Sequence, residues 1–131
     1  MRNEIQHLIN YRMKQARETS EEVKFQIENN FLVIAVNRIY YGMFYMLLGL
    51  ALKEGYKTSK HNQLIGWFNK EFVKTGKIER KIGRIIHQAY QDRTDGDYGL
   101  FVKFEKEEVF EKHKNMNRFL DKLENLIKEK N

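Results

Sequence analysis

The stretch FLVIAVNRIYYGMFYMLLGLALKEG, Phe31 to Gly55, is apolar on almost every side when wound into a helix. Such a helix runs about 35 Å, and one that shows no wide polar face has to be covered all round by apolar material. Lipid and protein are the two candidates. Arg38 falls near the middle of the run with Asn37, Tyr40, Tyr41 and Tyr45 around it, and an arginine at the centre of a membrane span costs roughly 2.5–3.5 kcal/mol even on the mildest scale. The neighbouring segments carry apolar seams that need a common partner. The reading is a buried central helix, not a membrane span.

At helical spacing Arg38, Tyr41, Gly42 and Tyr45 share one face of this helix, flanked by Asn37 and Phe44. Either the tyrosines are core residues with a wet tip and Arg38 is paired inside a bundle, or the face lines a groove. Gly42 sacrifices about 1 kcal/mol of helix propensity relative to alanine, which predicts a close approach by another backbone or a ligand.

Working outward, Ile5, Ile9, Met13, Ala16, Ser20, Val23 and Ile27 recur at steps of three and four, one amphipathic stripe that ends at Asn29-Asn30. Thr19 and Glu22 form a capping-box pattern, but the unbroken stripe predicts a single long first helix. After Gly55, Thr58 or Ser59 is the expected N-cap of a third helix that turns Leu64, Ile65, Phe68 and Phe72 inward and stops before Gly76. Ile78, Ile82, Ile85 and Ala89 form the seam of a fourth, with Arg93 next in register and a turn expected from Asp95 to Gly99. From Lys106, Val109, His113, Met116, Leu120, Leu123 and Ile127 give a bundle-type seam. With no proline and no repeat, residues 1–131 read as one all-α domain, an up-and-down bundle of about five helices with a buried central helix.

The absence of cysteine removes disulfide and thiolate-metal readings, and MRNEIQH lacks the apolar core of a signal peptide, so the expected location is cytoplasmic. Charge is uneven. Lys57, Lys60, Lys70, Lys74, Lys77, Arg80, Lys81 and Arg84 meet only Glu71 and Glu79 in their segment, a surplus of six that equals the net charge of the whole chain. That concentration fits a phosphate-bearing partner as well as a solvated basic face, and Tyr56, Trp67 and Tyr90 lie in or beside it as candidate stacking groups.

Among the four histidines, His113 sits on an apolar seam, where a hydrogen-bonded core role is the common explanation, and His7 stands alone near a terminus. No HExxH, Gly-rich phosphate loop or GxSxG nucleophile motif occurs, so no metal and no cofactor is expected. Asp92, Asp95 and Asp97 crowd one segment in the wrong order for a calcium loop and read chiefly as helix-end and turn residues. Two arginine constellations are left. Arg80, Arg84, His87 and Gln91 stack on one exposed helical face. In Arg93-Thr94-Asp95-Gly96-Asp97-Tyr98 an arginine aimed inward beside an acid is either a bundle-fixing ion pair or an anion-binding group.

Four separated motifs then carry a resemblance: Ala35-Val36-Asn37-Arg38-Ile39-Tyr40-Tyr41-Gly42-Met43-Phe44, Ser59-Lys60-His61, Phe72-Val73-Lys74-Thr75-Gly76, and Tyr90-Gln91-Asp92-Arg93 through Asp97-Tyr98. In this order they resemble the HEPN domain, in its branch of small stand-alone proteins with R-x-Y-Y-x-M-F and R-x-x-x-D-Y motifs. The resemblance implies a dimerising helical bundle, a gene partner that is a minimal nucleotidyltransferase antitoxin, and in many members metal-independent ribonuclease activity. Active members carry a histidine four to six residues after the motif arginine. Here Asp97 and Tyr98 stand in that region instead, so the resemblance puts Arg93, Asp97 and Tyr98 at the catalytic position without the imidazole.

Two functions follow as expectations. One is the RNA-directed toxin of a toxin-antitoxin pair, a cytoplasmic homodimer. The other is a non-catalytic nucleotide- or RNA-binding scaffold that partners a nucleotidyltransferase. The anion site is expected where Arg38, Tyr41, Lys60, His61 and Arg93 converge, with Arg84 adding affinity for RNA. Tyr98 is the tyrosine that the resemblance marks for adenylylation by the partner.

Overall fold

The computed structural model of the protein describes residues 2–99 and 103–129, without the side chains of Arg2 and Tyr98. Among them are five α-helices and no strand: α1 Arg2–Glu28, α2 Leu32–Lys53, α3 His61–Phe68, α4 Arg80–Tyr98 and α5 Lys106–Lys128. A π-helical turn, Asn69–Val73, continues α3.

The tight α1–α2 connection is a left-handed helix cap. Asn30 takes φ 61°, the Phe31 N–H bonds the Gln26 carbonyl at 2.8 Å, and the Asn30 N–H bonds that of Ile27 at 3.1 Å. Gly55 closes α2 the same way at φ 77°. The helices therefore run up and down. The apolar surface of α2 is long enough for a membrane span, but protein covers it: Val36, Ile39, Met43, Leu47 and Leu50 are all buried against Ala16 and Val23 of α1, Ile86 of α4, and Met116, Leu120 and Leu123 of α5.

Gly42 is where three helices meet. A Cβ there would stand 2.2 Å from Met116 Cε and 3.2 Å from Thr19 Cγ2, so side chains of α5 and α1 make the close approach, not a backbone or a ligand. Thr19 starts no new helix; its hydroxyl bonds back to the Gln15 carbonyl at 2.7 Å inside an unbroken α1.

Several boundaries differ from the sequence reading. Ile5, expected in the core, is 46% exposed: α1 is five residues longer than α2, so its first turns overhang. Lys60 occupies the N-cap position of α3, while Thr58 Oγ1 accepts from the Lys60 N–H at 3.2 Å and donates to Gln63 Oε1 at 2.8 Å. On α4 the fully buried residue is Ile86, with Ile85 at the rim. The expected turn at Asp95–Gly99 is helix through Tyr98. Side chains brace it at i,i+4, Gln91 Nε2 to Asp95 Oδ1 at 2.9 Å and Arg93 Nε near Asp97 Oδ2 at 3.0 Å. Asp92 is no helix-end residue either. It is buried, accepts from Gln88 Nε2 at 2.9 Å, and pairs with Lys112 Nζ at 2.7 Å, tying α4 to α5.

Candidate functional site

Pinning Asp92 against α5 leaves the next residue, Arg93, turned toward α2. Its Nη2 donates to the Tyr41 hydroxyl at 3.1 Å, and the guanidinium carbon lies 5.3 Å from the Tyr41 ring centre and 5.9 Å from that of Tyr40. The cation thus packs against a pair of tyrosine rings that meet edge to face 5.4 Å apart. Asp97 Oδ2 stands 3.0 Å from Arg93 Nε, yet the approach is off-line and that N–H is buried without a hydrogen bond among the described residues. A guanidinium presents five N–H donors, and this one keeps capacity to spare. Asp97 also touches Asn37 Nδ2, at 3.5 Å.

The third wall comes from α3. His61, its first residue, lies flat on Phe44 with ring centres 4.0 Å apart and planes at 8°, and meets the Tyr41 ring edge-on at 5.8 Å. Its Nδ1 is 2.5 Å from the hydroxyl of Tyr40. Burial, and then the charge of Arg93, push its pKa below the usual imidazole value. The Tyr40 phenol, wholly buried, moves the other way. Burial comes first and the neighbouring Tyr90 and Tyr41 add to it, against the opposing pull of Arg93. Lys60, His61, Asn62, Gln63, Tyr90 and Arg93 line the open cleft between α3 and α4.

The structure thus brings Tyr41, His61 and Arg93 together, with Lys60 on the rim and Asp97 beside the arginine. Arg38 also lies against Tyr41, and its guanidinium reaches toward α1. It lies 5.9 Å from the ring centres of Tyr41 and Tyr45, and its Nε is 3.7 Å from Glu22 of α1. Arg84 is exposed on α4 nine residues before Arg93; at about 100° per residue that is the opposite side of the helix, about 13 Å along it. Tyr98 ends α4, and its side chain lies outside the described residues. All eight basic residues of the Lys57–Arg84 segment are exposed. Among the described residues, no group of three or more His, Asp or Glu side chains gathers as a metal site.

Sequence reasoning missed Tyr40 as a site residue and treated Tyr90 only as a stacking candidate. A signal existed for the first: a tyrosine one position off the polar face of a buried helix needs a partner for its hydroxyl. What the spacing withheld was that α3 supplies it.

A family model described as HEPN domain matches residues 9–126. This chain belongs to the HEPN family. The UPF0332 protein of Thermotoga maritima is 40% identical over 97% of this chain and 96% of its own length. Two Methanocaldococcus jannaschii proteins, both named as candidate toxins, are 33% identical over 98% of this chain and 92% of their own length, and 32% identical over 74% and 66%, respectively. Membership of the HEPN family and the toxin names of these relatives fit a toxin-like role. In this HEPN chain the histidine that lines the cleft with Arg93 comes from α3, a different helix.

Proposed function

We propose that this protein is the RNA-directed toxin component of a two-part module: one HEPN domain spanning residues 1–131, cytoplasmic, homodimeric, and held in check by a nucleotidyltransferase-type antitoxin. The observation that carries the reading is Arg93. It is half-buried, packed against two tyrosines, short of one hydrogen-bond acceptor among the described residues, and part of the lining of a cleft whose rim holds Lys60. A site of that kind suits a phosphodiester, and RNA cleavage there would use Arg93 for the charge that builds on phosphorus.

The toxin names of the relatives support the role. The homodimer, or an antitoxin contact, is supported by apolar surface about half exposed at Phe25, Phe31, Val33, Ile34 and Phe110. Control by the antitoxin is proposed to act through adenylylation of Tyr98, the last residue of α4, which adds phosphate negative charge and a bulky adenosine to the segment that carries Arg93 and Asp97. Mass spectrometry after co-expression with the neighbouring gene tests this. A gain of AMP mapped to Tyr98 supports it, and modification confined to another residue refutes it.

A second reading, a nucleotide- or RNA-binding protein without catalysis, is favoured by one observation: no histidine follows Arg93 by four to six residues. Induction in a bacterial host, with RNA integrity and salt-dependent RNA binding measured alongside, separates the two. The toxin reading expects growth arrest that Arg93→Ala abolishes, and RNA affinity that falls steeply with salt. Salt-insensitive binding, or full toxicity in Arg93→Ala, overturns it. Tight binding with intact RNA selects the second reading.

A further inference from the structure

We propose that the cleft grips a phosphoryl group at two points, the Arg93 guanidinium and the Nε2–H of His61, and that Tyr40 is the positioning residue that decides which nitrogen of His61 carries the proton. The inference deepens the proposed function by naming the chemistry recognised at that site.

The argument begins with a proton count. The Tyr40 side chain is wholly buried, and among the described residues its hydroxyl has one hydrogen-bond partner, His61 Nδ1 at 2.5 Å. If Nδ1 carried a proton, the Tyr40 oxygen would have to accept it, and the phenolic hydrogen would be buried with no acceptor, at a cost of a full desolvation penalty. The hydrogen bond therefore runs from Tyr40 O–H to Nδ1. Nδ1 is then an acceptor, and the single proton of a neutral imidazole sits on Nε2. The same count disfavours the doubly protonated ring, and the charge of Arg93 close by acts in the same direction.

Orientation comes next. The ring lies flat against Phe44 and edge-on to Tyr41, which fixes its plane, and turning it over within that plane breaks the bond to Tyr40. With Nδ1 engaged inward, Nε2 is its remaining polar atom, and His61 lines the same cleft as Arg93. The Tyr41 ring touches both, through a hydrogen bond from Arg93 and an edge contact to His61. A charged fork and a neutral donor held by one set of aromatic rings make a preorganised pair for the oxygens of a phosphoryl group. A neutral His61 holding its proton on Nε2 binds an anion and does not act as a base there. The phosphoryl group belongs either to an RNA backbone or to a nucleotide.

Long-range nitrogen–proton correlation spectra of the full chain with labelled histidine read the proton position directly. At pH 7.5 the expected signature for His61 is a protonated Nε2 and an unprotonated Nδ1, with a shift toward mixed tautomers in Tyr40→Phe. A protonated Nδ1, or no change in Tyr40→Phe, overturns the proposal. Calorimetric titration with inorganic phosphate, ATP and a short single-stranded RNA then tests the grip. Loss of about tenfold or more is expected in His61→Leu, with partial rescue in His61→Gln, whose amide places an N–H near the position of Nε2. Equal affinity in His61→Leu and the native chain, or no binding of any of the three probes, overturns it. Binding of ATP or phosphate without RNA leaves the two-point grip standing and removes the RNA reading instead.

Discussion

Two histidines of this protein sit in matching surroundings and do opposite work. His113, on α5, faces α1. Its Nε2 lies 3.0 Å from the Ser20 carbonyl and 2.9 Å from Ser20 Oγ, and the Ser20 hydroxyl passes its own proton to Asn117 Oδ1 at 2.7 Å. One turn along, Arg17 reaches Asp121 at 2.8 Å and Glu124 at 3.1 Å. In this seam the named donors end on protein acceptors. His61 has the same burial-lowered affinity for a proton and a hydrogen bond to a neighbouring helix, but its second nitrogen and the spare N–H of Arg93 end on nothing among the described residues. Burial with closure is how a bundle locks two helices; burial with capacity left over is how it holds a ligand.

The sharpest way to break that contrast is Arg93→Ala. The seam predicts that removing a closed ion pair costs stability, whereas the cleft predicts that removing Arg93 costs function. Toxicity or phosphate binding should fall by about a hundredfold, as for a charge-assisted site, while the melting temperature moves by only a few degrees, because Asp97 remains partly solvated. Collapse of the fold in circular dichroism would place Arg93 among the bundle-fixing groups.

Gly42→Val probes the side of α2 away from the cleft. With Met116 Cε 2.2 Å from any Cβ and Thr19 behind it, the branched side chain forces α1 or α5 outward at a cost of about 1–3 kcal/mol. Urea titration should show a lower midpoint. Phosphate affinity in the folded fraction should change far less than stability, since the overpacked side chains, Met116 and Thr19, belong to α5 and α1 and not to the cleft.

The core was legible because its signals are local. A helix apolar all round needs covering on all sides, and stripes at steps of three and four name what covers it. The cleft was half legible. Periodicity put Tyr41 on a polar face and Arg93 in register with a seam, but it cannot say which side chain arrives across the gap, so the Tyr40–His61 pair was out of reach. Arg38 was grouped with the site by its helical spacing from Tyr41, and Arg84 by charge. Helical rotation puts Arg84 on the far side of α4, and Glu22 engages Arg38.

A milder probe of the contrast is pH. Both histidines bind a proton less readily folded than unfolded, because burial penalises the imidazolium. Their stabilising contribution is thus full above the unfolded value, near 6.5, and is lost as the pH falls from there through the folded value. The melting temperature should drop between pH 7.5 and 5.5. His113→Gln, which keeps a donor for the Ser20 carbonyl, should flatten that drop by removing one of the two titrating groups. Adding inorganic phosphate should offset the drop in the His113→Gln chain through the cleft. An identical pH profile in the native and His113→Gln chains would show that the seam histidine is not the group being titrated.

The smallest effect should come from Gly96→Ala, at the point where sequence and structure disagree about α4. Read locally, Asp95-Gly96-Asp97 is turn chemistry, and a turn would tolerate alanine poorly. In the structure Gly96 is helical, and a Cβ there would meet Phe104 Cε2 at 3.6 Å and Val33 Cγ1 at 3.7 Å, ordinary van der Waals contacts. Alanine should therefore gain helix propensity without strain and raise stability by about 0.5–1 kcal/mol, a shift of a few degrees in thermal melting. It should also stiffen the turn of helix that carries Asp97 past Arg93, leaving phosphate affinity equal or slightly higher. A loss of stability would mean that the last turn of α4 unwinds in solution and that Arg93 is held by the tyrosines alone.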